Sequence, residues 1–244
     1  MSVRVTGATA VRVLTQLRRD PRTIVLLVGV PCLLIFLLKE LFSGREEIFQ
    51  HVGVPLLGLF PFISMFVVTS VTMLRERTTG TLERLMSLPL GKLDLLLGYG
   101  VAFALVAVVQ ASVVSALALG LLGLDVAGPV WPVVALAVGN AVLGMALGLF
   151  ASAFARTEFQ AVQFMPAFVT PQLLLSGLFV ARSEMANWLR WVSDALPLTY
   201  AYDALARART DVFDGRFAAD VAVVVGGTLL ALGLGAATLR RRTG

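Results

Sequence analysis

The stretch RERTTGTLERLMSLPLGKLD, residues 75–94, places four basic residues (Arg75, Arg77, Arg84, Lys92) and three acids (Glu76, Glu83, Asp94) between two long apolar runs. Guanidinium and carboxylate groups at that density are suited to charge-assisted hydrogen bonds. They are not arranged for catalysis. Gly91-Lys92 lacks the earlier glycine and the following Ser or Thr of a phosphate-binding loop, and the chain has neither a GxSxG elbow nor a HExxH helix. Cys32 and His51 each stand alone, which leaves a His/Cys metal site without ligands. The chemistry on offer is recognition of another surface.

Inside that stretch Leu82, Leu85 and Met86 follow i, i+3, i+4 spacing. Gly80 can occupy the cap, which puts Glu83 at the third helical position, and Pro89 ends the element. A helix of two turns is marginal in water, so its apolar stripe must dock while Arg75, Glu76, Arg77, Glu83 and Arg84 stay available for polar contacts. The membrane headgroup layer and a cytoplasmic protein both offer such a dock. Anionic lipid favours basic residues alone, so the mixed charge suits a protein better.

The elements that position this helix are membrane spans. Of the 244 residues 58% are hydrophobic and 14% charged, too apolar for a soluble globule. Runs long enough to cross a bilayer fall at about 23–42, 52–74, 93–124, 130–155, 162–181 and 219–239. Six crossings put both termini on one side. Thirteen of the 20 Lys and Arg residues then lie on the side of the termini and seven on the other, which makes that side the cytoplasm. The third run exceeds the length a span needs and predicts tilt or an extension beyond the lipid. Residues 1–22 carry Val3, Ala10, Val13, Leu14 and Leu17 on one helical face and Arg4, Arg12, Arg18 and Arg19 on the other, the pattern of a basic helix lying on the membrane surface. The excess of base therefore serves orientation. No basic stripe with interleaved aromatics appears, and nucleic acid is not expected as a partner.

Few strong polar groups lie deep in the spans: Gln110, Asn140, Gln163 and Gln172. Ion-driven carriers need buried carboxylates or histidines, so the energy is expected to come from elsewhere. Gly144 and Gly148 form a GxxxG, and Ala231 with Gly235 repeats the small-xxx-small spacing, which permits close helix approach but also arises by chance in Gly- and Ala-rich helices. Residues 182–212 mix Trp188, Trp191, Leu196, Tyr200 and Tyr202 with Arg190, Asp194 and Asp203, an interfacial composition.

The run Glu76-Arg77-Thr78-Thr79-Gly80-Thr81-Leu82-Glu83-Arg84-Leu85, with Pro89 and Lys92 after it, resembles the cytoplasmic signature of the ABC-2 type ABC transporter permeases. Arg19-Asp20-Pro21-Arg22-Thr23 followed by Pro31 is similar to that family's connecting helix leading into span one. Leu175-Ser176-Gly177-Leu178-Phe179, Trp188-Leu189-Arg190, Leu196-Pro197-Leu198-Thr199-Tyr200 and Asp203-Ala204-Leu205 are similar to its segment between spans five and six.

The resemblance implies an all-α membrane protein. Its parts are an interfacial helix over 1–22, a six-span domain over 23–244, a cytoplasmic coupling helix at about 75–92 and extracellular re-entrant half-helices at about 182–212. It implies that Glu76, Arg77, Gly80, Thr81, Leu82, Glu83, Arg84 and Leu85 meet a nucleotide-binding ATPase subunit, which binds the ATP and Mg that this chain does not. It implies a homodimer or heterodimer of permeases embedded in lipid, with Gln163, Gln172 and Asn140 on the pathway and Gly177, Trp188, Pro197 and Tyr200 at an extracellular gate. The expected activity is daunorubicin-resistance-like efflux of hydrophobic or amphiphilic molecules across a bacterial inner membrane, the chain itself not being an enzyme. Export of lipid, glycolipid or polysaccharide, and a structural or regulatory role without transport, are the alternatives.

Overall fold

In a computed structural model the chain is described over residues 3–81 and 92–238, with the side chains of Lys92 and Leu93 set aside. The described residues are helical and contain no strand. In chain order the helices are α1 (Val3–Arg18), α2 (Pro21–Leu41), α3 (Glu46–Thr78), α4 (Lys92–Gly120), α5 (Val130–Ala151), α6 (Glu158–Leu175), α7 (Asn187–Asp194), α8 (Pro197–Arg209) and α9 (Gly215–Thr238), with a 3-10 turn at Arg182–Glu184.

At the centre α3 lies along α5, the most extensive helix pair among the described residues. The contact is backbone to backbone. A Cβ added at Gly144 would sit 2.2 Å from the Phe62 carbonyl oxygen, and one at Gly148 would sit 2.4 Å from that of Phe66. The GxxxG on α5 is therefore a packing surface for α3, where dispersion between closely approached backbones replaces the hydrophobic drive that lipid abolishes. The Thr69 hydroxyl sits in the seam and reaches the Met65 carbonyl at 2.6 Å and the Met145 carbonyl of α5 at 3.2 Å. Around this pair stand α4, α8 and α9, while α2 leans on α3 and α4 and α6 leans on α3.

Among the described residues five helices, α2, α3, α4, α5 and α9, are long and apolar enough to cross a membrane. The expected continuous span at 162–181 is not among them. α6 starts four residues earlier, where the Thr157 hydroxyl accepts from the Gln160 amide, and stops at Leu175. Glu158, Gln160, Gln163 and Gln172 dilute its apolar character. Beyond it Gly177 takes φ +98°, a left-handed backbone that favours glycine and turns the chain.

After that turn the chain re-enters the bundle as α8. A Cβ at Gly227, midway along α9, would touch Pro197 at 3.4 Å, so α8 begins deep in the bundle. It ends where the Arg209 carbonyl accepts from the Ala127 amide in the α4–α5 connection.

α1, expected to lie on the membrane surface, has its principal contact among the described residues with α4. Thr9, Ala10 and Val13 are buried, and a Cβ at Gly98 of α4 would meet Thr9 at 2.5 Å. Val3, assigned to the apolar face, is 87% exposed; one turn further on, the Thr6 hydroxyl donates to the Asp94 carbonyl of α4 at 3.3 Å. The 29 residues of α4 make a helix of about 43 Å at 1.5 Å per residue. Its first turns run alongside α1, which accounts for the excess length read in the third apolar run.

Candidate functional site

Two polar assemblies stand at opposite ends of the bundle. The first gathers α1, the end of α3 and the start of α4. Arg75, Glu76 and Arg77, expected within a separate short helix, are the last turn of α3. Nothing interrupts that helix before Gly80, whose φ is +71°, and cations in a final turn are favoured by the helix dipole.

Glu76 is 7% exposed. Its Oε2 lies 3.4 Å from Nη2 of Arg12 on α1, and the same Arg12 nitrogen donates to the Tyr99 hydroxyl on α4. The guanidinium also lies 5.6 Å from the centre of the Tyr99 ring, within reach of a cation–π attraction. One arginine thus ties α1 to two membrane helices. A buried carboxylate without such a partner would carry a large desolvation cost, so Arg12 and Glu76 hold each other in place.

Beside this triad, Arg75 donates from Nε and Nη2 to the two carboxylate oxygens of Glu158 at 2.7 and 2.9 Å, fastening α3 to the start of α6. Asp20 caps α2, accepting from the Thr23 hydroxyl at 2.7 Å and the Thr23 amide at 3.2 Å. Those two bonds, the hydroxyl's first, hold the Asp20 carboxyl below its ordinary range. Between α1, α2 and α3 a cleft of about 290 Å³ is rimmed by Gln16, Asp20, Arg75, Glu76 and Thr79. Arg77 is half-buried, and among the described residues its Nε has no hydrogen-bond partner. Thr81 closes the described part of this region, its hydroxyl 3.1 Å from that of Thr79. Leu82, Glu83, Arg84 and Leu85 lie outside the described residues, as does Pro89.

The second assembly is the hairpin of α7 and α8 at the far end. Ser193 donates to the Leu175 carbonyl at the end of α6 at 2.8 Å and lies 3.2 Å from the Thr199 hydroxyl. The Tyr200 hydroxyl donates to the Asp194 carbonyl at 2.6 Å, and Pro197 opens α8 at its first position, where the missing N–H costs nothing. Arg182 pairs with Asp194 of α7 and, at 3.1 Å, with Asp203 of α8. A Cβ at Gly177 would lie 3.5 Å from both Arg182 and the Tyr202 ring. Gly177, Pro197 and Tyr200 therefore belong to one framework. Trp188 does not: it is 64% exposed and points outward together with Trp191.

The three amides assigned to a pathway are not brought together. Asn140 is buried against the bare backbone of Gly58 in a cavity of about 20 Å³ that Ser176 and Tyr202 also line, and its Oδ1 has no partner among the described residues. Gln172 is buried in a separate cavity of about 60 Å³ beside Phe66 and Phe150 and donates to the Phe168 carbonyl at 3.0 Å. Gln163 is exposed on the outer side of α6.

Tyr99, Arg182 and Ser193 were not singled out from the sequence. Tyr99 and Ser193 sit in runs that read as plain apolar or interfacial helix, and the two partners of Arg182 lie 12 and 21 residues away, a choice no local spacing encodes. Among the described residues no group of three His, Cys, Asp or Glu is gathered that could hold a metal.

The family model described as ABC-2 type transporter matches residues 5–208. Over 147 residues, 60% of this chain, the sequence is 29% identical to ABC transporter G family member 20 of Dictyostelium discoideum, of which the match spans 20%. Over 150 residues, 61% of this chain, it is 29% identical to the probable multidrug ABC transporter permease YbhR of Escherichia coli K12, of which the match spans 40%. The matched part is thus less than half the length of either relative.

Proposed function

This chain belongs to the ABC-2 type transporter family as a membrane subunit, and from that premise we propose that it is the permease of an ATP-driven exporter of hydrophobic or amphiphilic small molecules. The permease works as one of a pair, identical or closely related, with two nucleotide-binding subunits that carry the ATP and Mg. The segment 76–85 receives the motion of those subunits and passes it to the membrane helices. The observation that carries this reading is the Arg12–Glu76–Tyr99 triad, which sits where α3 runs into that segment and couples it to α1 and α4. Charge on this end favours a cytoplasmic location for it in a bacterial inner membrane, with both termini on the same side.

Six crossings follow when α6 and the α7–α8 hairpin are taken together as the fifth, the hairpin dipping into the outer leaflet and capping the pathway. The exposure of Gln163 on the outer side of α6 suits a pathway shared with a second permease. Walls that are apolar with a few amides suit a greasy cargo, and the similarity to the probable multidrug permease of Escherichia coli agrees with that choice.

The test is purification of the chain with its ATPase, followed by crosslinking from cysteines placed at Thr81 and Arg84. Crosslinks to the ATPase, together with loss of drug-stimulated hydrolysis in Glu83→Lys, are expected. Crosslinks to phospholipid alone would overturn the reading.

A further inference from the structure

Among the described residues five prolines lie in helix interiors, beyond the first turn: Pro31 in α2, Pro55 and Pro61 in α3, and Pro166 and Pro171 in α6. Each lacks the N–H that would bond the carbonyl four residues earlier. For Pro31 that carbonyl belongs to Leu27, and it is not left bare. Gln110 of α4 is 0% exposed and donates its Nε2 to the Leu27 oxygen at 2.7 Å. The amide of one membrane helix thus supplies the donor that proline removed from another. In a bundle surrounded by lipid tails, an unsatisfied carbonyl at that depth would find no water.

The position of this bond matters because α2 is held so sparingly. Its buried residues are Leu27, Pro31 and Ile35, a single stripe four residues apart, and the Gln110 bond falls on that stripe. The remaining faces of α2 are largely open, with Val25, Leu26, Leu33 and Leu37 exposed. α2 is also the helix that follows α1 directly, across the Asp20 cap. A displacement of α1 enters the membrane through the turn preceding Leu27, and the weak point of the helix lies one turn further on, at Pro31.

We propose that Gln110 is a positioning residue that pins α2 at its proline break, so that the part beyond Pro31 bends about a fixed point on α4 when α1 moves. The functional consequence rests on the permease reading above; the mechanical one does not. Holding the Leu27 carbonyl keeps the lower turns of α2 in register with α4, and the missing backbone bond at Pro31 lets the upper turns, held by buried Ile35 and by Lys39 against Glu46 and the Phe49 ring, bend as a separate unit.

The chemistry supplies its own control. Gln110→Met keeps the length and apolar volume of the side chain and removes the donor. Pro31→Ala restores a backbone N–H for the Leu27 carbonyl and makes the Gln110 donor dispensable. In the full chain with Cys32→Ala, spin labels at Leu41→Cys and Leu121→Cys, both exposed, report the distance between the far ends of α2 and α4 in nanodiscs. Gln110→Met is expected to shift the populations of that distance distribution by about threefold, the size of an average interhelical hydrogen bond in a membrane bundle, and to lower ATP-driven transport by a comparable factor. Adding Pro31→Ala is expected to abolish the effect of Gln110→Met on the distance. Equal effects of Gln110→Met with and without Pro31→Ala, or no effect in either, would overturn the proposal. If Gln110→Met alone fails to accumulate, recovery of accumulation by Pro31→Ala supports the pin and failure to recover refutes it. A distance cycle as expected in a chain that moves no compound with ATP would leave the pin standing and remove the permease reading instead.

Discussion

Glu76 stands between an exposed ion pair and a buried one. Its carboxylate is nearly enclosed, while the Arg12 side chain that faces it is 29% exposed. Exposed pairs contribute up to about 1 kcal/mol and broken buried pairs cost about 3–5 kcal/mol. Glu76→Gln keeps an acceptor for Arg12 and removes the charge, so its effect falls toward the lower figure, about 1–2 kcal/mol. The loss is local to α1. Amide exchange at Ala10 and Val13 should accelerate by roughly tenfold, the factor for 1.4 kcal/mol, with exchange in α5 unchanged. Tyr99→Phe removes one acceptor and keeps the ring under the guanidinium, so its effect on the same amides should be smaller than that of Glu76→Gln. An equal effect would assign the hold on α1 to the hydroxyl.

Among the elements, the α3–α5 seam tolerates least. Gly144→Ala drives a methyl to 2.2 Å from a carbonyl oxygen of the neighbouring helix, and helix backbones move only as units. Overpacking of this kind costs about 1–3 kcal/mol, and the seam is long enough that Gly144→Ala and Gly148→Ala should each lower the thermal midpoint in detergent, with Gly139→Ala, whose Cβ meets open space, as the unaffected comparison. The α7–α8 hairpin answers to a different force. Arg182→Met leaves Asp194 and Asp203 facing one another without their shared cation, so limited proteolysis between residues 178 and 196 should become faster while the midpoint of the whole chain hardly changes.

For the whole molecule the parity of crossings decides where the ends lie. Five crossings would place α1 and the end of α9 on opposite sides, whereas the proposed sixth, by α6 together with α8, would make the count even. With Cys32→Ala, single cysteines at Thr15 and Thr238 should both resist an impermeant maleimide added to intact cells, and Ser43 and Ser183 should both react. Labelling of Thr15 and Thr238 from opposite faces would mean that α6 and α8 do not together cross the bilayer.

Composition and hydropathy run were enough to read a polytopic helical protein, the places of five spans and the charged break after residue 75, because lipid demands long apolar helices whatever their neighbours are. Local chemistry was legible in part: the turn at Gly80 and the small-residue spacing of Gly144 and Gly148 depend on residues within a few positions of one another, although the spacing alone did not separate packing from chance, and the Asp20 cap was visible only in the structure. Tertiary structure decided the rest. It alone showed that Arg75–Arg77 complete α3, that α6 stops at Leu175 before the turn at Gly177, and that Gln110, Asn140, Gln163 and Gln172 have four different surroundings. The reason is that a polar side chain in an apolar bundle takes the nearest acceptor in space. For Gln110 that acceptor lies 83 residues away, made available by a proline on a different helix.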